Sequence, residues 1–96
     1  MALLEEERWL RYAAHANAMA TSLAKVISQA GYPCPWPTQA NTVFAFLPVE
    51  QVQQARDQGF EFYDWPGQDN LVRFVCSLRT TAAQIDAFAQ NLNKKF

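Results

Sequence analysis

The sequence predicts a two-layer α+β domain with element order α-β-α-β-β-α and a three-stranded sheet carrying its helices on one face. Three observations support this. Residues 4 to 29 repeat apolar side chains three and four apart, as a long amphipathic helix does. Thr42–Leu47 and Asn70–Ser77 are short runs of β-branched and aromatic residues, which read as strands. From Thr81 to Phe96 the helical spacing returns. With 96 residues, 50% hydrophobic and 14% aromatic, the chain can fill one core and has no room for a second, so 1–96 is a single domain.

In the first helix Trp9, Tyr12, Ala13, Ala16, Ala20, Leu23, Ala24 and Ile27 share a face, opposite Arg8, Arg11, His15, Ser22, Lys25 and Gln29. Gly31 supplies a left-handed stop. Tyr32–Pro37 alternates prolines with other residues and reads as a stiff connector without regular structure. In the first strand Thr42, Phe44 and Phe46 point one way, Val43, Ala45 and Leu47 the other. Pro48 opens a second helix that runs to about Gln58 and is capped by Gly59, with Val49, Val52 and Ala55 expected inward. Phe60–Tyr63 is the second strand, and a turn around Pro66-Gly67 leads to the third. Thr81-Ala82-Ala83-Gln84 fits a capping box. Ile85, Phe88, Ala89, Leu92 and Phe96 form the last apolar stripe, closed by Lys94 and Lys95 as the helix dipole prefers.

A strand, a crossover helix and a second strand make a right-handed βαβ unit. The third strand returns by a hairpin and fits between the first two, antiparallel to both. Val43, Ala45, Leu71 and Val75 are expected on the face away from the helices, as an apolar patch around Arg73. Such a surface marks a partner or a further domain. Arg73 itself is out of place in an oily strand, because an unpaired buried charge is very costly. Its guanidinium either emerges to water or meets an anion, and its planar fork suits a carboxylate.

Most other chemistry is excluded. A net charge of −1 and a pI near 5.7 leave no electrostatic footprint for nucleic acid, and no apolar run is long enough to span a bilayer. Met1–Glu7 is acidic where a secretory signal is basic, so the cytoplasm is the expected location. Cys34 and Cys76 are read as free thiols, the second a small core hydrophobe. His15 is expected on the solvent face of its helix, without partners for a metal site or a triad. The glycines at 31, 59 and 67 serve caps and turns, so no phosphate loop exists. Glu61, Asp64 and Asp69 read as solvated carboxylates near a turn, and Lys25, Lys94 and Lys95 lack the apolar setting of a nucleophile. No catalytic, cofactor-binding or metal-binding residue is assigned, and an independent enzyme is the least favoured class.

Four stretches, in order, nevertheless resemble one family. Asn70-Leu71-Val72-Arg73-Phe74-Val75-Cys76-Ser77-Leu78, followed by Thr80-Thr81 and a helix, is similar to the C-terminal end of low-specificity L-threonine aldolases, some active as phenylserine aldolases. Glu7-Arg8-Trp9-Leu10 with His15-Ala16-Asn17-Ala18 resembles the long helix entering their small domain. Gln39-Ala40-Asn41-Thr42-Val43-Phe44 resembles the first small-domain strand, and Gly59-Phe60-Glu61-Phe62-Tyr63 the segment before the arginine strand. The resemblance covers nearly the whole chain but only the last quarter or so of such an enzyme. It implies the aspartate-aminotransferase fold type, pyridoxal phosphate as cofactor, and cleavage of β-hydroxy-α-amino acids such as threonine to glycine and an aldehyde. It also implies that Arg73 holds the substrate α-carboxylate. The Schiff-base lysine and the rest of the cofactor site belong to the family's large domain, which this sequence does not contain. Leu78-Arg79 departs from the family pattern, and Arg79 is assigned no role.

The expected function is therefore an isolated C-terminal domain of a pyridoxal-phosphate-dependent aldolase, inactive by itself and needing a large domain to meet an amino-acid substrate. The alternative is a free-standing interaction module that self-associates, as a twofold dimer through its long helix or its sheet. Neither reading involves nucleic acid or membrane.

Overall fold

The computed structural model describes residues 2–38, 40–64 and 70–93, without the side chains of 2–6 and 93. Gln39, the turn at 65–69 with its Pro66-Gly67, and Lys94, Lys95 and Phe96 lie outside the described residues. The elements are α1 (Ala2–Gln29), β1 (Thr42–Phe46), α2 (Val49–Asp57), β2 (Phe62–Asp64), β3 (Leu71–Val75) and α3 (Ala82–Asn93). This is the expected order, and β3 lies between β1 and β2, antiparallel to both.

The register assigns the two faces of the sheet. Val43 pairs with Phe74 and Ala45 with Val72, and all four join the core under the helices. Thr42, Phe44 and Phe46 oppose Val75, Arg73 and Leu71, and Tyr63 opposes Arg73 from the other side. Directly opposed residues share a face. Val43 and Ala45 therefore do not join Leu71 and Val75 on the outer face, as the sequence reading had them; Phe44 and Phe46 do. The cause is the fit to α1. Its buried Ala16 and Ala20 make a low ridge, and the small side of β1 is the side that such a ridge can approach.

The core joins Ala20, Leu23 and Ile27 of α1 to Val43, Ala45, Leu47, Val72, Phe74 and Cys76, with Ile85, Phe88 and Leu92 of α3. Phe60, Phe62, Phe74 and Phe88 form a ring cluster with centroids 5.2–6.1 Å apart. Caps close the helices much as their residues dictate. Gly59 takes φ +83° after α2. Before α3, the Gln84 N–H donates to Thr81 Oγ1 (3.0 Å) and the Thr81 N–H to Gln84 Oε1 (3.3 Å), the reciprocal pair of a capping box. Gln84 Nε2 also donates to the Gln58 carbonyl at 2.7 Å and so ties the end of α2 to the start of α3.

Three expectations change. At 28 residues α1 is about 42 Å long, and the body of the domain is too short to lie under all of it. Over residues 7–14 it stands free, so Trp9 is 74% exposed, and Tyr12 and Ala13 are exposed as well. On α2, Val49 is 72% exposed while Gln51 is turned inward with 4% exposed. His15 is half-buried and donates from Nε2 to the Thr80 carbonyl at 2.6 Å, tying α1 to the residues that open α3.

Candidate functional site

Arg73 sits at the middle of β3, flanked in register by Phe44 on β1 and Tyr63 on β2. Its neighbours Val72 and Phe74 point into the core, so alternation turns Arg73 to the face away from the helices. The side chain is half-buried, with Nε sealed from solvent. The guanidinium carbon lies 5.3 Å from the centroid of the Tyr63 ring. A cation over an aromatic face is attracted by the ring quadrupole, which offsets part of the cost of taking the charge out of water. Across the sheet, Trp36 of the proline-rich connector meets Phe44 edge-on at 4.9 Å. The connector also accepts the Phe46 N–H at the Pro33 carbonyl (2.9 Å), so it covers the outer edge of β1. The outer face is thus a shallow aromatic floor with one cation in it.

Two grooves flank the far end of β3. The larger, about 430 Å³, is mainly apolar and runs between the free part of α1 (Trp9, Tyr12, Ala13) and Val75–Leu78. Ala40, with φ +52°, and Asn41 complete it, and Asn41 Nδ2 donates to the Cys76 carbonyl at 2.8 Å. The smaller, about 180 Å³, is lined by Gly59, Glu61, Ser77, Arg79 and Gln84. Burial pushes the Cys76 thiol up to about 11, against a hydrogen bond to Thr80 that lowers it. Cys76 is thus the buried free thiol that the sequence implies, and Cys34 is half-buried within 3.7 Å of Ser28 Oγ.

Glu61 and Asp64 are exposed, and Asp69 lies outside the described residues. Among the described residues no group of three His, Cys, Asp or Glu could hold a metal ion. No described helix is long and apolar enough to cross a membrane. Pyridoxal phosphate needs a lysine for its Schiff base. The one lysine among the described residues, Lys25, is exposed on α1 and lines neither groove, so these residues do not fit that cofactor.

Sequence reasoning found Arg73 but neither Tyr63 as its ring partner nor the hydrogen bond of the half-buried His15 to Thr80. The pairing of Tyr63 with Arg73 depends on β3 inserting next to β2. Hairpin topology gave that neighbourhood, while the register had to be seen.

Over 91 residues, 94% of its length, the chain is 33% identical to the low specificity L-threonine aldolase of Pseudomonas aeruginosa. It is 34% identical over the same length to the enzyme of that name from a Pseudomonas sp.. These matches support a fragment of the low-specificity L-threonine aldolase family. The chain spans 26% of the length of each of these aldolases. A Leishmania major threonine aldolase structure superposes on 82% of the chain with TM-score 0.65 and 26% identity, using 24% of that protein. A structure of SPT with a PLP internal aldimine has TM-score 0.53 at 20% identity, a likeness of fold. No family model matches the threonine-aldolase-like chain.

Proposed function

We propose that this chain is the C-terminal small domain of a pyridoxal-phosphate-dependent threonine aldolase, with Arg73 as the grip for the α-carboxylate of the amino-acid substrate. The observation that carries the proposal is the position of Arg73. In a chain similar to threonine aldolases almost end to end, the strand arginine faces away from the helices, where another domain can bring a ligand to it. A guanidinium fork there can hold a carboxylate by two parallel hydrogen bonds and fix an amino acid in register for chemistry supplied elsewhere. The lysine and the cofactor site come from the part of the aldolase that this chain does not span. The chain alone, given pyridoxal phosphate and threonine, turns nothing over.

The test is complementation. The chain is mixed with Pseudomonas aeruginosa threonine aldolase lacking the quarter that this chain matches, and threonine cleavage is followed. Wild type restores cleavage. Arg73→Leu lowers kcat/KM by about 30-fold or more, the cost of truncating one side of a desolvated charge pair. Equal restoration by Arg73→Leu removes the role assigned to Arg73.

A second reading, a self-associating interaction module, draws on the exposed Trp9, Tyr12 and Leu78 that line the larger groove. Apolar side chains grouped around a groove are a common mark of an interface. Sedimentation equilibrium decides it: a monomer at 100 μM, unchanged by Trp9→Glu, rules the module out.

A further inference from the structure

We infer that His15 is a catch on the turn between β3 and α3: its Nε2–H holds the Thr80 carbonyl and so fixes the partition between the two grooves. Val75 and Ser77 line both grooves, whereas Leu78 lines the larger alone and Arg79 the smaller alone. Residues 77–80 are therefore a wall with a different groove on each side. A swing of that wall widens one groove at the expense of the other. The catch stands apart from the role proposed for Arg73 and needs no ligand there.

Within the turn the hydrogen bonds close on themselves. The Ser77 N–H donates to Thr80 Oγ1 (2.9 Å), the Thr80 N–H to the Ser77 carbonyl (3.1 Å) and the Arg79 N–H to Ser77 Oγ (3.1 Å). These bonds keep the turn in shape without tying it to another element. Thr80 supplies the ties. Its hydroxyl meets the Cys76 thiol at the end of β3, and its carbonyl accepts from His15, 65 residues away along the chain, at 2.6 Å. Thr80 is 7% exposed, so its carbonyl gives up water on folding and an unmade bond there would be costly. His15 precedes Ala16, the first buried residue among those described on α1, and lies one turn from Tyr12 in the facing wall of the larger groove. It thus braces one wall of that groove against the helix that builds the other. Because a carbonyl only accepts, the neutral ring carries its proton on Nε2 and leaves Nδ1 bare.

The experiment uses the ¹⁵N-labelled chain, whose single histidine makes the ring signals unambiguous. At a pH of about 8, above the usual histidine value, long-range proton–nitrogen spectra show a protonated Nε2 and a bare Nδ1. Amide relaxation then reads the wall. In wild type the amides of Leu78 and Arg79 are as rigid as those of β3, with order parameters of about 0.85. His15→Ala keeps α1 helical, alanine being the best helix former, and drops those two amides below about 0.6 while β3 is unmoved. His15→Gln carries an amide N–H about as far from the helix as Nε2 and keeps the wall rigid. His15→Asn is too short to reach and behaves as His15→Ala does. Unchanged amide positions for Val72 and Phe74 show that each variant is folded. The catch is overturned by a neutral ring protonated on Nδ1, or by a folded His15→Ala whose Leu78 and Arg79 stay as rigid as in wild type. Should His15→Ala fail to fold, equal rigidity of the turn in His15→Gln and His15→Asn overturns it instead.

Discussion

Phe88→Ala tests whether the ring cluster is the mechanical centre of the domain. Phe88 is fully buried, 5.2 Å from the Phe60 ring and 6.1 Å from the Phe74 ring, and joins α3 to the sheet. Truncating a buried phenylalanine costs about 3–5 kcal/mol, combining lost transfer energy with the cavity left behind. Two tilted ring contacts place Phe88 toward the upper half of that range. A domain of this size has a total stability of about 5–14 kcal/mol, so a loss of about 4–5 kcal/mol removes roughly 30% of it or more. The melting temperature should fall by at least about 12 °C, at roughly 4 °C per kcal/mol. Urea unfolding by far-UV circular dichroism measures the loss, with an unchanged m-value showing that compactness is kept. Phe88→Leu, which refills most of the volume, should cost about 1.5 kcal/mol. A Phe88→Ala loss below about 1.5 kcal/mol would refute the reasoning, because it would mean that α3 is held elsewhere.

Other expectations follow from single features. Ala40 has φ +52°, a conformation that costs an L-residue about 1–2 kcal/mol, so Ala40→Gly should raise the melting temperature and Gly59→Ala, at φ +83°, should lower it. Gln51 is buried, and among the described residues its Oε1 has no hydrogen-bond partner; Gln51→Met should therefore stabilise by about 1 kcal/mol in urea unfolding. Cys76, pushed up to about 11 by burial from 9.0, stays a neutral thiol in the folded chain while the unfolded chain ionises. Its contribution is complete below pH 9 and falls by about 1.4 kcal/mol per pH unit until about 11, a loss that Cys76→Ala should remove. In native buffer near neutrality, a thiol reagent should label Cys34 well before Cys76.

The order of elements, the insertion of β3 and the caps at Thr81 and Gly59 were all legible because each rests on local rules. Proline and glycine punctuate, periods of two and 3.6 identify elements, and crossover handedness limits topology. Arg73 was legible for a related reason: a charge in an apolar strand violates the local pattern and demands a use. What failed were questions of facing. Val43 and Ala45 were assigned to the wrong side because alternation says which residues go together, not which set the helices cover. The choice was made by the alanine ridge of α1, a packing fact about two elements at once. Trp9 and Tyr12 continue the apolar stripe of α1 without interruption, so nothing in their spacing shows that the domain beneath them stops. Val49, expected inward, turned outward because a nine-residue helix offers too few turns to fix its own rotation.

The overhanging start of α1 also changes how the molecule moves through liquid. Its radius of gyration is 14.1 Å where a compact chain of this length has about 12.5 Å, and its extents are 53 × 29 × 21 Å. A rod-like extension raises friction without adding mass, so a single copy should elute from a sizing column ahead of globular standards of 10.9 kDa. Column position would then overstate how many copies travel together, and only a shape-independent mass can count them.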